Sequence, residues 1–141
     1  MFSYFIRSVA SIYGQTESFK PTDGELAILR VIWSRGPSTV REVFKELNKV
    51  QATGYTTVLK MMQIMTEKGL LSRDDANRTH VYEPRLAEEE TQRQLIRDLL
   101  DRAFHGSAKK LVLQALSAKR ATPGELSEIR KLLDEIEGGK K

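Results

Sequence analysis

The sequence contains no cysteine, and this absence excludes several kinds of site. Without cysteine there is no disulfide scaffold, no thiolate metal site and no cysteine nucleophile. The chain also has no apolar run long enough to cross a membrane as a helix. An apolar stretch at the start is broken by Arg7 and Ser8 and is followed by no convincing cleavage site, so it does not read as a secretory signal. We therefore predict a cytoplasmic protein that does not insert into a membrane.

The sequence motifs of common enzymes are missing as well. There is no HExxH, no phosphate-binding glycine loop, no GxSxG and no cluster of metal ligands. The only histidines are His80, in a predicted strand with no evident carboxylate partner, and His105, at a predicted helix end. Both are interpreted as surface or capping residues. The sequence thus predicts that the protein is not an enzyme and holds no metal or cofactor.

Charge is present but only mildly unbalanced. The 141 residues carry a formal net charge of +4, with a sequence pI of about 9.4. This charge permits an anionic partner without naming one, since mixed charged faces are common on soluble domains. The length suggests one domain, or a small domain with an appendage.

Three helices are predicted in the first half of the chain. Thr22 and Glu25 form a capping-box pattern, which starts a helix that ends at Gly36-Pro37. Ser38 is predicted to cap a second helix, whose apolar stripe runs from Val40 to Leu47. Thr53 is predicted to cap a third helix over about 54–68, which Gly69 ends in the left-handed region.

A short hairpin and further helices follow. Two strands are predicted over 70–73 and 79–83, separated by the turn-forming sequence DDAN. Three amphipathic helices complete the chain. The predicted fold is mainly α with a small β-hairpin: an extension over 1–20 that is either a short helix or disordered, a winged helix-turn-helix over 21–85 and a helical dimerisation region over 86–141.

This arrangement predicts binding to duplex DNA. The major groove admits one α-helix, and two bracing helices would let one face of the third project into it. Hydroxyl, amide and cationic side chains on that face suit base edges and phosphates, and the wing over about 74–78 would lie on the backbone. The opposing possibility is a winged helix that binds a protein, which would favour an apolar outer face. The predicted DNA-binding residues are Tyr55, Thr56, Thr57, Lys60, Gln63, Arg78, Arg41 and Lys45.

The C-terminal helices carry apolar stripes that need a partner surface. A three-helix set of this size has little interior of its own, so we predict pairing of two copies about a two-fold axis. A bundle packed within one chain is the alternative. The predicted dimerisation residues are Leu99, Phe104, Leu111, Val112, Ala115, Leu116, Ile129 and Leu133.

Four segments in order resemble one family of regulators. TDGELAILRVIW, TVREVFKEL, GYTTVLKMM and EKGLLSRDDANRTHVYEP are similar to the penicillinase-repressor family of the BlaI/MecI/CopY type. The resemblance covers nearly the whole chain from Thr22. It implies a winged-helix transcriptional repressor that binds a palindromic operator as a homodimer. It also implies that Arg78 lies in the wing and that the DNA-reading helix carries Tyr55, Thr56, Thr57 and Lys60.

Two departures from the family pattern bear on regulation. Some members are inactivated by cleavage at an Asn-Phe bond after a membrane sensor protease detects a β-lactam, whereas the corresponding place here holds Gln114-Ala115. We therefore expect that a sensor protease could relieve repression here, although this chain lacks the usual cleavage sequence. The copper-responsive branch carries cysteines near its C-terminus, so copper sensing through thiolates is excluded here. The operator, the target genes and the inducing signal are not read from these residues.

Overall fold

A computed structural model describes residues 20–139, which form six α-helices and one two-stranded antiparallel hairpin. The mainly helical fold with a small hairpin is confirmed. The prediction for the N-terminal extension falls on residues 1–19, outside the described part. Among the described residues, no helix is both long and apolar enough to span a membrane.

The first helix, α1, spans Asp23–Arg35 and begins as its sequence predicts. The Thr22 hydroxyl accepts from the Glu25 N–H at 3.2 Å, and the Glu25 carboxylate accepts from the Thr22 N–H at 3.0 Å. This reciprocal pair satisfies two N–H groups that have no partner inside the helix.

The second helix, α2, spans Val40–Leu47, and its N-cap is Thr39 rather than Ser38. Thr39 lies three residues before Glu42, and the two form a second capping box. Ser38 is instead buried, and its backbone exchanges two hydrogen bonds with Tyr82 at 3.0 and 2.8 Å. The prediction for Ser38 was wrong because this long-range backbone pairing fixes its place, while the acidic residue needed for the capping box follows Thr39 at the right spacing.

The third helix, α3, spans Tyr55–Lys68. Gly69 ends it with φ 88° and ψ 13°, the left-handed conformation that glycine adopts without strain. At its other end the N-cap is Gly54, with no side-chain hydrogen bond, so the predicted cap at Thr53 was wrong. The backbone of Thr53 is engaged by Asn48, whose side chain bonds to both its N–H and its carbonyl and closes the turn before α3.

The hairpin follows α3 directly. Strand β1 covers Leu71–Asp74 and strand β2 covers Val81–Pro84, with Leu71 opposite Pro84 and Asp74 opposite Val81. Each strand thus lies one or two residues later than predicted.

One hydrophobic core lies under α1, α2, α3 and the hairpin. It consists of side chains from all of these elements, which explains why the hairpin packs against the helices. Its buried members are Ile28, Leu29, Ile32, Val40, Val43, Val58, Met62, Met65, Leu70, Leu71 and Tyr82.

The contacts divide the chain into two compact units, the first ending at Ile96 and the second starting at Arg97. The predicted division after residue 85 lies earlier than this. Helix α4, over Glu88–Ala103, contains the division. Two observations place its start in the first unit. The Trp33 indole N–H donates to the carbonyl of Leu86, two residues before the helix, at 3.0 Å, and Thr91 in the first turns of the helix is buried.

The second unit has helices but no buried interior. Helix α5 spans Ala108–Ala118 and helix α6 spans Pro123–Gly139. Between residues 97 and 139 no residue is buried in the single chain. The apolar stripes that the sequence predicts are therefore largely open to solvent within one chain.

Candidate nucleic-acid interface

Helix α3 presents a polar outer face because its inner face is committed to the core. Val58, Met62 and Met65 are buried at spacings of four and three residues, which places them on one side of the helix. Leu59 and Met61 flank this stripe and pack against the core in part, whereas Lys60 and Gln63 point away from it. Its 14 residues give α3 a length of about 21 Å. The exposed side chains at predicted DNA-binding positions on α3 are Tyr55, Thr56, Thr57, Lys60 and Gln63.

Three elements hold α3 in place. Helices α1 and α2 and strand β1 all pack against it. At its C-terminal end, the Lys68 ammonium donates to both carboxylate oxygens of Glu25, at 2.7 and 3.0 Å. The Glu25 side chain is only 7% exposed, so this ion pair ties the end of α3 to the start of α1 in a largely desolvated place. Sequence reasoning missed the pair because its members are 43 residues apart.

The N-terminal end of α3 is left open. Helices α1, α2, α5 and α6 each begin with a hydroxyl that accepts a backbone N–H, from Thr22, Thr39, Ser107 and Thr122. Helix α3 has neither a side-chain cap nor an acidic residue in its first turn. Its first N–H groups therefore remain available to an external acceptor, and the helix dipole favours an anion there.

Helix α2 contributes cations beside this open end. Arg41 and Lys45 are both exposed, as predicted. The Arg41 guanidinium lies 5.2 Å above the centre of the Tyr55 ring, within the range of a cation–π contact. Phe44 meets the same ring edge-on, with centroids 5.6 Å apart and planes at 77°. Tyr55 thus contacts two side chains of α2 and is 38% exposed.

The turn of the hairpin carries Arg78 in an exposed position, as predicted. Asp75 in the same turn forms an ion pair with Arg73, at 2.7 Å between Nε and Oδ1, and contacts His80 Nδ1 at 2.8 Å. The hydrogen bond and charge of Asp75, together with a bond to Tyr82, raise the pKa of Arg73. The interpretation of His80 as lacking a carboxylate partner was wrong, since the hairpin brings it to Asp75 across the turn.

Some cations on and near α2 and α3 form ion pairs, whereas others do not. Among residues 20–139, Lys49 pairs with Glu46 at 2.9 Å and Arg35 pairs with Glu42 at 3.2 Å. The hydrogen bond from the Thr39 backbone N–H, together with the charge of Arg35, lowers the pKa of Glu42. Within the same described part, no ion pair engages the predicted DNA-binding cations Arg41, Lys45, Lys60 and Arg78.

The predicted dimerisation residues lie in the C-terminal part of the chain, between Leu99 and Leu133. They occupy α4, the turn after it, α5 and α6. Phe104, Leu111 and Ile129 are half-buried. The remaining five are exposed: Leu99, Val112, Ala115, Leu116 and Leu133.

Comparison with known proteins gives a consistent set of similarities. The family model described as penicillinase repressor matches residues 21–135. The penicillinase repressor of Bacillus licheniformis is 28% identical over 120 residues, which are 85% of this chain and 94% of that protein. The transcriptional regulator BlaI of Mycobacterium tuberculosis is 30% identical over 118 residues, 83% of this chain and 85% of that one. A solution structure of monomeric Bacillus licheniformis BlaI with the blaP half-operator aligns with a TM-score of 0.44 and 31% identity, over 50% of this chain and 85% of that chain.

Proposed function

This chain belongs to the penicillinase repressor family, and we propose that it represses transcription as a homodimer bound to a palindromic operator. Helix α3 would lie in the major groove and the hairpin would lie on the neighbouring backbone. A family of transcriptional repressors is not an enzyme class. The observation that carries the proposal is the exposed polar face of α3, held on a buried core, with Lys60 in no ion pair with a described residue.

The outer face of α3 has the chemistry for reading DNA. Thr56 and Thr57 offer hydroxyls and methyl groups, and Gln63 offers an amide that can pair with adenine. Lys60 can reach a guanine or a phosphate, and no ion pair with a described residue competes for it. Because an uncapped helix N-terminus binds phosphate well, the open end of α3 also supports a position against the DNA backbone.

The protein-binding adaptor is the weaker alternative. A winged helix that recognises a protein would be expected to expose apolar side chains on its third helix. On α3, Ile64 is 40% exposed, but it lies among threonine, lysine, glutamine and glutamate side chains. This composition favours a polyanion over an apolar protein surface.

The homodimer is proposed from the second unit. Its exposed apolar side chains include Val112 at 49% and Leu133 at 55%. Leaving such stripes in water is costly, at about 25 cal/mol per Å² of apolar surface. A second copy offers the same stripes about a two-fold axis, so each copy covers the other. An intrachain bundle is the less favoured arrangement because no residue between 97 and 139 is buried in one chain.

Regulation by a membrane sensor protease belongs to the same proposal. Gln114 and Ala115 both lie within α5 and are exposed. Cleavage there would cut the proposed dimerisation region, and loss of the dimer would release the operator. The site has neither residue of the Asn-Phe pair, so we expect a protease of different sequence preference. A cytoplasmic location is part of this proposal, since the DNA lies there.

Selection of bound fragments from genomic DNA tests the proposal directly. We expect recovered sequences to share a two-fold palindrome whose half-site centres lie about 34 Å apart, or a small multiple of that distance. Binding should weaken steeply with salt, with a log–log slope of roughly −0.9 for each phosphate contact. A matched selection with Lys60→Ala should recover the motif poorly. Recovery of no common motif, together with salt-insensitive binding, would refute DNA recognition.

A further inference from the structure

We propose that Tyr55 acts as a positioning residue, holding the Arg41 guanidinium for a backbone phosphate rather than contacting a base itself. The inference rests on the proposed function and assigns a role within the same interface. It revises the sequence-based reading of Tyr55 as one of several groove-contacting residues.

The geometry begins in the core. Phe44 packs against the buried cluster, and its ring meets Tyr55 edge-on. Arg41 and Phe44 are three residues apart on α2, so both side chains project from the same face of that helix. Tyr55 is the first residue of α3, and its ring fits against both of them. The ring is thereby supported from the core side and covered by the guanidinium.

Stacking orders Arg41 without using its hydrogen-bond donors. A guanidinium stacks through its flat face, while its five N–H donors point outward in its plane. A phosphate can therefore be bound by the N–H donors of a guanidinium that lies over the Tyr55 ring. A free arginine loses much side-chain freedom when it binds, and a stacked arginine has already lost part of it before the DNA arrives.

The same contact limits what Tyr55 can do alone. One face of its ring lies under Arg41 and the ring also contacts Phe44, which leaves less of the 38% exposed side chain for stacking on a base. Its hydroxyl forms no hydrogen bond with any described residue and is the one group left for a direct contact. Tyr55→Phe and Tyr55→Leu separate the two roles, because only leucine removes the ring.

The experiment is a double-mutant cycle in fluorescence anisotropy, with the tightest-binding duplex from the genomic selection as the probe. Arg41→Ala should weaken binding about tenfold and reduce the magnitude of the salt slope by about 0.9. Tyr55→Leu should weaken it about two- to fivefold. In the Arg41→Ala background, the same leucine substitution should change affinity by less than about 1.5-fold. With Arg41 present, Tyr55→Phe should bind DNA as well as the wild type does.

Additive losses from Tyr55→Leu and Arg41→Ala would overturn the proposal, as would Tyr55→Phe binding as weakly as Tyr55→Leu. Lys109→Ala, which removes one exposed cation from the second unit, is the matched charge control. Thermal unfolding checks that each variant is folded.

A second measurement needs neither DNA nor a variant. In the free protein, the Arg41 side-chain protons should show an upfield ring-current shift in the NMR spectrum, and its absence would refute the stack. A wild-type protein that binds no duplex would defeat the proposed function, whereas normal binding with additive losses would defeat this inference alone.

Discussion

Truncating the chain at two positions tests both the unit boundary and the origin of the dimer. One variant ends after Ile96, where the first compact unit ends, and the other ends after Pro84, where the hairpin ends. We expect the variant ending at Ile96 to fold as a monomer. Every buried hydrophobic residue of the described chain lies between Ile28 and Tyr82, so this variant keeps the whole core.

The shorter variant should fold less stably because two hydrogen bonds are lost with residues 85–96. The Trp33 indole loses the Leu86 carbonyl, and the Leu70 carbonyl loses the Arg85 N–H, each at 3.0 Å. At about 0.5–1.5 kcal/mol for each bond, the expected loss is about 1–3 kcal/mol. For a domain of this size, that corresponds to a Tm lower by about 4–8 °C per kcal/mol.

Urea and thermal unfolding followed by circular dichroism measure this difference. Trp33→Phe in the variant ending at Ile96 is the comparison. It removes the indole donor together with part of a ring that packs against the core, so it should reproduce at least about half of the loss. Equal stability of the two truncated chains would show that residues 85–96 do not belong to the first unit.

Light scattering and DNA-binding titrations measure whether the C-terminal helices hold the dimer together. The variant ending at Ile96 should bind a palindromic duplex at least about 100-fold more weakly than the full chain, because its two half-site contacts are no longer linked. A dimer that survives this truncation would refute pairing through the C-terminal helices.

Four further substitutions test individual side chains. Thr57→Ala and Lys60→Ala should each weaken specific DNA binding by about 1–3 kcal/mol in anisotropy titrations, with the dimer intact by light scattering; loss of folding would contradict their exposed positions. Lys68→Met leaves the Glu25 carboxylate buried without its cation. The free energy of unfolding should therefore fall by about 3 kcal/mol in urea titrations, and an unchanged value would show that the ion pair does not stabilise the fold. The pKa of Glu42 is lowered in the folded chain, so its charge stabilises the fold above its unfolded pKa, and this contribution is lost as pH falls through the folded pKa. The stability advantage over Glu42→Gln should therefore shrink in acid. A constant difference in the free energy of unfolding between the two proteins from pH 7 to pH 3 would refute the linkage.

Local chemistry explains which parts of the fold the sequence predicts. The capping box at Thr22 and the stop at Gly69 depend on residues within a few positions of each other, and both occur as predicted. The exposed face of α3 follows from helical periodicity alone. In each case the deciding interaction lies within one or two helical turns, where a linear pattern reports it.

Interactions between distant segments explain the errors. Ser38 has the chemistry of a helix cap, but its backbone pairs with Tyr82, 44 positions further along the chain. Glu25 forms a capping box as predicted, and the same carboxylate also binds Lys68, which no local pattern indicates. The cation–π contact with Tyr55 likewise requires α2 and α3 to meet. The exposure of the side chains on the outer face of α3 is therefore predictable from the sequence, whereas the contacts between α2 and α3 are not.

The two ends of α3 differ in a way that suits an anionic partner. Lys68 and Gly69 secure the C-terminal end through a buried ion pair and a left-handed cap. The N-terminal end begins at Gly54 without a side-chain cap, although a serine, threonine or aspartate there would stabilise the helix by a few tenths of a kcal/mol relative to glycine. Such a cap would occupy the first N–H groups, and an aspartate would also repel phosphate. Helix α3 is thus secured at its C-terminal end and open at its N-terminal end, beside Arg41. This arrangement is expected where the DNA backbone supplies the acceptor for the open N–H groups.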